Sequence, residues 1–249
     1  VNPILLGLDV GGSSIKAGLV DVGTGKLVSA LRSVPTPTPA TPERVVEACV
    51  AVDQELGGQG PVGLAFPSVI YRGVARTAAH VDAAWVGTEG GHLLGSRLGR
   101  PVAFLNDADA AGLAEMKWGA GREVTGTVIM LTLGTGIGSA LFIDGKLLPN
   151  TEFGHLQLAR GGEGEEWASA RVRTEAGLDW PAWAGRLNEY LAALHALLWP
   201  DLFILGGSVT EHFARFGEFL ECPAEIRSAE FSGQAGVIGA ALAARARLA

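Results

Sequence analysis

Two stretches of the chain repeat one pattern of apolar and polar positions. In Leu6–Lys26, LGLDVGGSSIKAGLVDVGTGK, an apolar run meets a turn at Gly11-Gly12-Ser13-Ser14, returns through Ile15–Val20 and closes at Asp21 before Gly25-Lys26. In Val128–Lys146, VIMLTLGTGIGSALFIDGK, the run Val128–Thr132 enters a turn at Gly134, Gly136 and Gly138, and Ala140–Ile143 leaves it for Asp144-Gly145. Each predicts a strand, a glycine turn and an antiparallel return strand. Laying Asp9 on Thr132 puts Gly11 on Gly134 and Asp21 on Asp144 at one constant offset, which shortens only before Gly145-Lys146. Glycines spaced in this way let backbone N–H groups approach an anion, although a tight hairpin alone would use them too. Occurring twice, the pattern predicts an internally duplicated chain of two lobes sharing an anion site.

The remaining periodicity predicts a mixed sheet with helical cover. Strand patterns cover Ile4–Val10, Ile15–Asp21 and Lys26–Val34, followed by Pro35-Thr-Pro-Thr-Pro39, a stiff connector unsuited to a sheet interior. Thr41-Pro42-Glu43 opens a helix that stops at Gly57-Gly58. Val62–Phe66 and Val102–Leu105 read as buried strands, Tyr71–Val74 as a small hairpin, and Thr88–Leu98 and Asp107–Lys117 as helices. Beyond the second hairpin, Glu165–Ala176 and Pro181–Leu198 are expected as helices, the latter with a core stripe at Leu187, Tyr190, Leu191, Leu194 and Leu198. Leu202–Leu205 is a strand ending in Gly206-Gly207-Ser208, and Gln234–Leu248 is an alanine-rich helix suited to close packing on a sheet.

Composition narrows the function classes. The 249 residues are 48% hydrophobic and 18% charged, enough for a large core, and the 36 glycines sit in turns rather than low-complexity tracts. A net charge of −7 argues against broad nucleic-acid binding. No apolar run is long enough for a membrane span, and the first residues lack a charged-then-apolar leader, so a soluble, cytoplasmic protein is expected. Cys49 and Cys222 have no paired spacing and read as small apolar residues.

Three clusters carry candidate chemistry. Asn106-Asp107 follows the strand Val102–Leu105, where ligand sites gather in α/β sheets. Either residue could simply cap the helix, and one can cap while the other accepts a proton from a hydroxyl. Glu152-Phe-Gly-His155 puts a carboxylate and an imidazole three residues apart, able to face one polyhydroxyl ligand or to lie on the surface. Gly164-Glu165-Glu166 opens a helix, where acids also serve the helix dipole.

These residues together resemble the ROK sugar kinases. Asp9-Val-Gly-Gly-Ser13, Asn106-Asp107, Leu133-Gly-Thr-Gly-Ile-Gly138, Glu152-x-Gly-His155 and the Gly206-Gly207 strand end occur in order over essentially the whole chain. Thr77–Trp85, Asn106–Glu115 and Leu131–Leu156 are particularly similar to the polyphosphate glucokinases of that family. The resemblance implies an α/β, actin-like (ribonuclease H-like) two-lobed fold of duplicated βββαβαβα units. Its small lobe would be residues 1–107 plus 234–249 and its large lobe 108–233, with the active site in the cleft between them. The implied reaction moves the terminal phosphoryl group of inorganic polyphosphate, and of ATP, to the 6-hydroxyl of glucose or mannose. Asp107 is then the general base, and Asn106, Glu152, His155 and Glu165 are sugar ligands, with Ser68 counted as a further substrate-binding residue. Gly11, Gly12, Ser13, Gly134, Thr135 and Gly136 would bind phosphate, with Lys16 beside the first turn, and Gly206-Gly207 would border the nucleotide. Mg²⁺ is expected through donor phosphates and water, without protein side-chain ligands.

Departures refine the picture. Leu156–Gly164 lacks the CxCGxxGC motif of many relatives, so no structural zinc is expected. Ser208 replaces the third glycine of the usual adenosine turn, and His80 replaces an Asn. A long polyanionic donor requires a local basic track, for which Lys16, Lys117, Arg122 and Lys146 are candidates. The alternatives are an ATP-only hexose or N-acetylmannosamine kinase of the same family, and a non-enzymatic sugar sensor. Sensors of the family carry a helix-turn-helix ahead of the first hairpin, which here starts within ten residues of the beginning. No nucleic-acid or membrane partner is expected, and the chain would act as a monomer or homodimer.

Overall fold

A computed structural model describes residues 3–248. The chain divides into two compact units, one running up to Trp118 and resuming at Gln234, the other Gly119–Gly233.

In the first unit β1 (Ile4–Val10), β2 (Ser14–Asp21), β3 (Lys26–Leu27) and β4 (Arg32–Pro35) precede helix α1 (Pro42–Leu56). Then come β5 (Val62–Phe66), the hairpin β6 (Ile70–Tyr71) and β7 (Val74–Ala75), α2 (Gly90–Leu98), β8 (Val102–Asn106) and α3 (Asp107–Trp118). The sheet order is β3-β2-β1-β5-β8, antiparallel between β1 and β2 and parallel from β1 through β5 to β8. One face carries Leu6, Leu8, Val10 and Leu64, packed with Val45, Val46, Cys49 and Val52 of α1. The other receives the C-terminal helix, Ala235–Ala244, at the paired glycines Gly7 and Gly63. A Cβ on Gly7 would fall on the Val237 carbonyl, and one on Gly63 on the Ala240 carbonyl. Helix and sheet therefore meet backbone to backbone, which the alanine-rich sequence permits.

Two expectations are corrected here. The single strand expected over Lys26–Val34 is two, β3 and β4, because Ser29 Oγ accepts the Leu19 N–H at 3.0 Å in place of a ladder carbonyl. Pro35 pairs opposite Ser14 on the outer side of β2, where a missing N–H is tolerated, in keeping with a proline that avoids the sheet interior. The segment 108–118, assigned above to the large lobe, belongs by its packing to the first unit: α3 lies against the C-terminal helix so closely that a Cβ on Gly239 would meet the Ala110 carbonyl.

The second unit repeats the plan with β9 (Thr127–Leu133), β10 (Ile137–Ile143) and β11 (Lys146–Leu148), then α4 (Gly164–Ala168), α5 (Ala170–Glu175) and α6 (Trp180–Leu198). β12 (Leu202–Gly206) and β13 (Glu225–Ser228) complete a sheet of order β11-β10-β9-β12-β13, the counterpart of β3-β2-β1-β5-β8. Leu187, Tyr190, Leu191 and Leu194 of α6 are fully buried against Ile129, Leu131 and Phe203, as the stripe predicts. The helix expected over Glu165–Ala176 breaks at Ser169, whose extended backbone (ψ 158°) ends α4 and whose hydroxyl caps α5. Among the described residues no helix is long and apolar enough to cross a membrane.

Candidate active site

The first unit gathers its polar residues at the ends of β1, β5 and β8. In the first glycine turn Val10 pairs with Ile15, leaving Gly11–Ser14 to make the bend. Thr36 braces it, its N–H donating to the Ser13 carbonyl (3.1 Å) and its hydroxyl to the Gly11 carbonyl (2.6 Å). Gly12 and Ser13 are exposed, and among the described residues no protein acceptor takes their N–H groups. His80, held at φ 61°, packs its Cβ over Gly12. Asp9 stands opposite Lys16 in the β1–β2 register and lies against Gly236 of the C-terminal helix. Burial pushes the Asp9 carboxyl up to about 6, with the Lys16 ammonium pulling it partly back.

At the end of β8, Asn106 is buried, its amide donating to the Ser68 carbonyl (3.1 Å) and its Oδ1 accepting the Asp109 N–H (3.0 Å). Asn106 is thus the cap of α3, and the neighbouring Asp107 stays partly accessible in the first turn, its Oδ1 accepting the Ala108 N–H at 2.8 Å. Ser68 is itself buried, and its hydroxyl donates to the Thr77 carbonyl at 2.7 Å; its contribution is to hold Asn106 through its own carbonyl.

In the second unit the glycine turn is one residue shorter, Leu133 pairing with Ile137 around Gly134–Gly136. Two following elements hold it. The Arg171 N–H donates to the Gly134 carbonyl (3.1 Å) and its Nε–H to the Thr135 carbonyl (3.0 Å). From α4, Glu165 accepts the Ile137 N–H at 3.0 Å. Gly136 leaves the space this carboxylate needs, since a Cβ there would stand 2.5 Å from Glu165 Oε2. Among the described residues no protein acceptor takes the Thr135 and Gly136 N–H groups. Gly207, at φ 89° past β12, tucks against the Leu133 backbone at the entry to this turn.

The Glu152 and His155 motif forms a short turn at Phe153–His155, braced by the Phe153 N–H donating to Ser139 Oγ (3.0 Å). His155 Nδ1 lies 2.6 Å from Glu163 and its Nε2 3.7 Å from Glu152. The Glu163 hydrogen bond raises the imidazole pKa, burial opposes this, and the charges of Glu163, Glu165 and Glu152 add to it. Glu152 is itself raised, by burial first, with His155 lowering and Glu165 raising it. His155, Glu163 and Glu165 could also converge on one metal ion, their ligand atoms lying within 4.8 Å of one another. Three contributors were not among the sequence candidates. Asp9 signals itself as a charge closing an apolar run and as the first residue of the Asp9–Ser13 motif, without an assigned role, and Glu163 as an acid between glycines. Tyr190 is hidden in the core stripe, yet its ring sits against Gly164, next to Glu165.

The structure thus brings the sequence candidates together in two sets: Gly11, Gly12, Ser13, Lys16, Ser68, Asn106 and Asp107 in the first unit, and the turn Gly134–Gly136 with Glu152, His155, Glu165 and Gly207 in the second. Known proteins match the chain over most of its length. The chain is 44% identical over 238 residues to the polyphosphate glucokinase of Mycobacterium tuberculosis (strain CDC 1551 / Oshkosh), covering 95% of this chain and 89% of that one. The solved inorganic polyphosphate/ATP-glucomannokinase from Arthrobacter sp. strain KM superposes with a TM-score of 0.94 at 45% identity, covering 99% of this chain and 100% of that one. A ROK family glucokinase from Streptomyces griseus, solved in complex with glucose and AMPPNP, superposes with a TM-score of 0.81 at 28% identity over 98% and 100% of the two chains. These solved kinases share the two-unit α/β plan, which here is the actin-like fold that the family resemblance implied. The ROK family profile itself matches residues 5–168, across both glycine turns, Asn106-Asp107 and the Glu152–His155 motif, and the chain belongs to the ROK family.

Proposed function

We propose that this chain transfers the terminal phosphoryl group of inorganic polyphosphate, and of ATP, to the 6-hydroxyl of glucose, with mannose as a second acceptor. One observation carries the reading: the likeness to the polyphosphate/ATP-glucomannokinase, at 45% identity, spans 99% of the chain and so includes both residue sets. Phosphoryl transfer asks a protein mainly to position reactants and neutralise charge.

Asp107 is the base. It is partly accessible at the end of a buried strand, while Asn106 beside it serves as the cap. Its carboxylate takes the proton of the 6-hydroxyl as that oxygen attacks phosphorus, a role worth about 10²–10⁴-fold. Asn106, Glu152, His155 and Glu165 bind the remaining hydroxyls. The pairing of His155 with Glu163 fixes the ring so that Nε2 faces Glu152 and the ligand. The N–H groups of Gly12, Ser13, Thr135 and Gly136 bind donor phosphates, and Gly206-Gly207 borders the adenosine when ATP is the donor. Holding the hydroxyl against the phosphate accounts for about 7–11 kcal/mol of barrier reduction.

A divalent cation, Mg²⁺, accompanies the donor, bound through its phosphates and water. Asp9, a carboxylate beside the first turn, would face such a hydrated cation through its water rather than as a direct ligand. The cation neutralises donor charge. The His155, Glu163 and Glu165 group, which includes an imidazole, suits softer metals.

The test is hexose 6-phosphate formation by the purified chain with Mg²⁺ and a single donor. Turnover with polyphosphate is expected, and turnover with ATP alone would leave the site chemistry and remove the donor claim.

A further inference from the structure

The four guanidinium groups of Arg160, Arg173, Arg186 and Arg215 are arranged on two indoles of the second unit. Arg160 and Arg186 lie over the Trp167 ring, at 3.1 and 3.9 Å from its centroid. Arg173 and Arg215 lie over Trp180, at 3.5 and 5.2 Å. Among the described residues none of the four guanidiniums has an ion pair or a hydrogen bond, and Arg173 Nε is buried without an acceptor. Other arginines of the same unit are paired, Arg171 with Glu175 and Arg227 with Glu225. Nearby acids are engaged too: Glu163 with His155, and Glu166 with the Glu163 N–H. An indole face holds a guanidinium flat and partly desolvated while leaving its N–H fork open, the geometry that takes phosphate oxygens.

One member of each cluster is a near sequence neighbour of a residue that holds the second glycine turn. Trp167 is in α4, two residues past Glu165, which accepts the Ile137 N–H; Arg173 is in α5, two residues past Arg171, which holds the Gly134 and Thr135 carbonyls. Resting on the reading that this turn binds donor phosphate, we propose that the Trp167 and Trp180 arginine stacks are the track for the distal part of the inorganic polyphosphate chain. In a protein of net charge −7, they supply the local cationic surface a polyanion needs. These arginines stand in addition to Lys16, Lys117, Arg122 and Lys146, the candidates expected from the sequence.

The test compares the pairs Arg160→Gln/Arg186→Gln and Arg173→Gln/Arg215→Gln, made in the whole 249-residue chain, with a charge-matched control, Arg72→Gln/Arg97→Gln, on the first unit. Binding of long-chain polyphosphate without sugar is measured by equilibrium dialysis against ionic strength, alongside KM for long-chain polyphosphate and for tripolyphosphate. Each stack pair is expected to weaken long-chain binding about tenfold or more and to flatten its salt dependence, with a smaller change for tripolyphosphate. The control should stay at the wild-type value. Long-chain affinity unchanged in both stack pairs, or equal losses for long and short donors, would overturn the proposal. The dialysis measurement reads the track without turnover, so a failure of polyphosphate to support catalysis registers separately, against the function.

Discussion

The two sheets are built from one plan and covered in two different ways. In the first unit the β1–β5 pair meets at Gly7 and Gly63, and the C-terminal helix lies directly on that backbone. In the second, the β9–β12 pair at the duplicate position is Met130 and Ile204, both buried, with the Met130 side chain reaching over Gly206. The strand geometry is shared, and the packing is not. Glycine at one position admits a helix at backbone distance, and methionine at the other fills the same layer with side-chain volume. Duplication has preserved what pairs the strands and the bend that presents N–H groups, while the faces diverged to suit their cover.

Exchanging the paired residues is the sharpest way to break this comparison. Gly7→Met should prevent folding or cost more than about 4 kcal/mol, because the obstruction is backbone carbonyl rather than a side chain that can move. Met130→Gly should cost about 2–5 kcal/mol through the cavity it leaves. Denaturant melts of both variants check the order, and near-native stability for Gly7→Met would dismiss the close approach.

The two turns differ as well, and single methyl groups sharpen that difference. Gly136→Ala should push Glu165 away from the Ile137 N–H and raise the sugar KM by about tenfold, while Gly134→Ala, with nothing within 4 Å of its Cβ, should change KM less than about twofold. Equal effects at the two positions would show that Glu165 is not held by the turn.

The smallest effect concerns Asp9, which has no charged counterpart at Thr132. Its folded-state pKa is raised, to about 6, so its contribution to stability is greatest in acid, below its unfolded value, and is lost as pH rises through 6. Asp9→Asn should therefore raise Tm by a few degrees at pH 8, with the gap closing as pH falls from 6 toward 4. A Tm lowered at pH 8 would mean that the attraction to Lys16 outweighs burial.

Much of this was legible because it rests on short-range rules. The apolar runs and glycine turns gave both hairpins, and the offset that lays Asp9 on Thr132 also lays β1 on β9 end to end. The offset could not show that the second turn is a residue tighter, since register depends on which backbone groups the neighbouring elements engage, here the Ile137 N–H by Glu165 and the Gly134 and Thr135 carbonyls by Arg171. Nor could it show that Ser29 interrupts a strand or that Ser169 divides a helix, because in each case one hydroxyl replaces a backbone partner. Of the candidate site, Asn106-Asp107 read as a cap beside a base, and the structure assigns the cap to Asn106. The Arg and Trp stacks were not legible because Arg186 meets Trp167, and Arg215 meets Trp180, only through the fold, and nothing in the spacing of Arg160 and Trp167 or of Arg173 and Trp180 marks a ring contact.

Replacing Asp107 by Asn and following turnover at saturating glucose, with polyphosphate and with ATP, tests the central claim most directly. The account predicts that kcat falls about 10²–10⁴-fold with both donors while glucose affinity, measured separately, changes little. A kcat near the wild-type value would contradict it and remove Asp107 as the base.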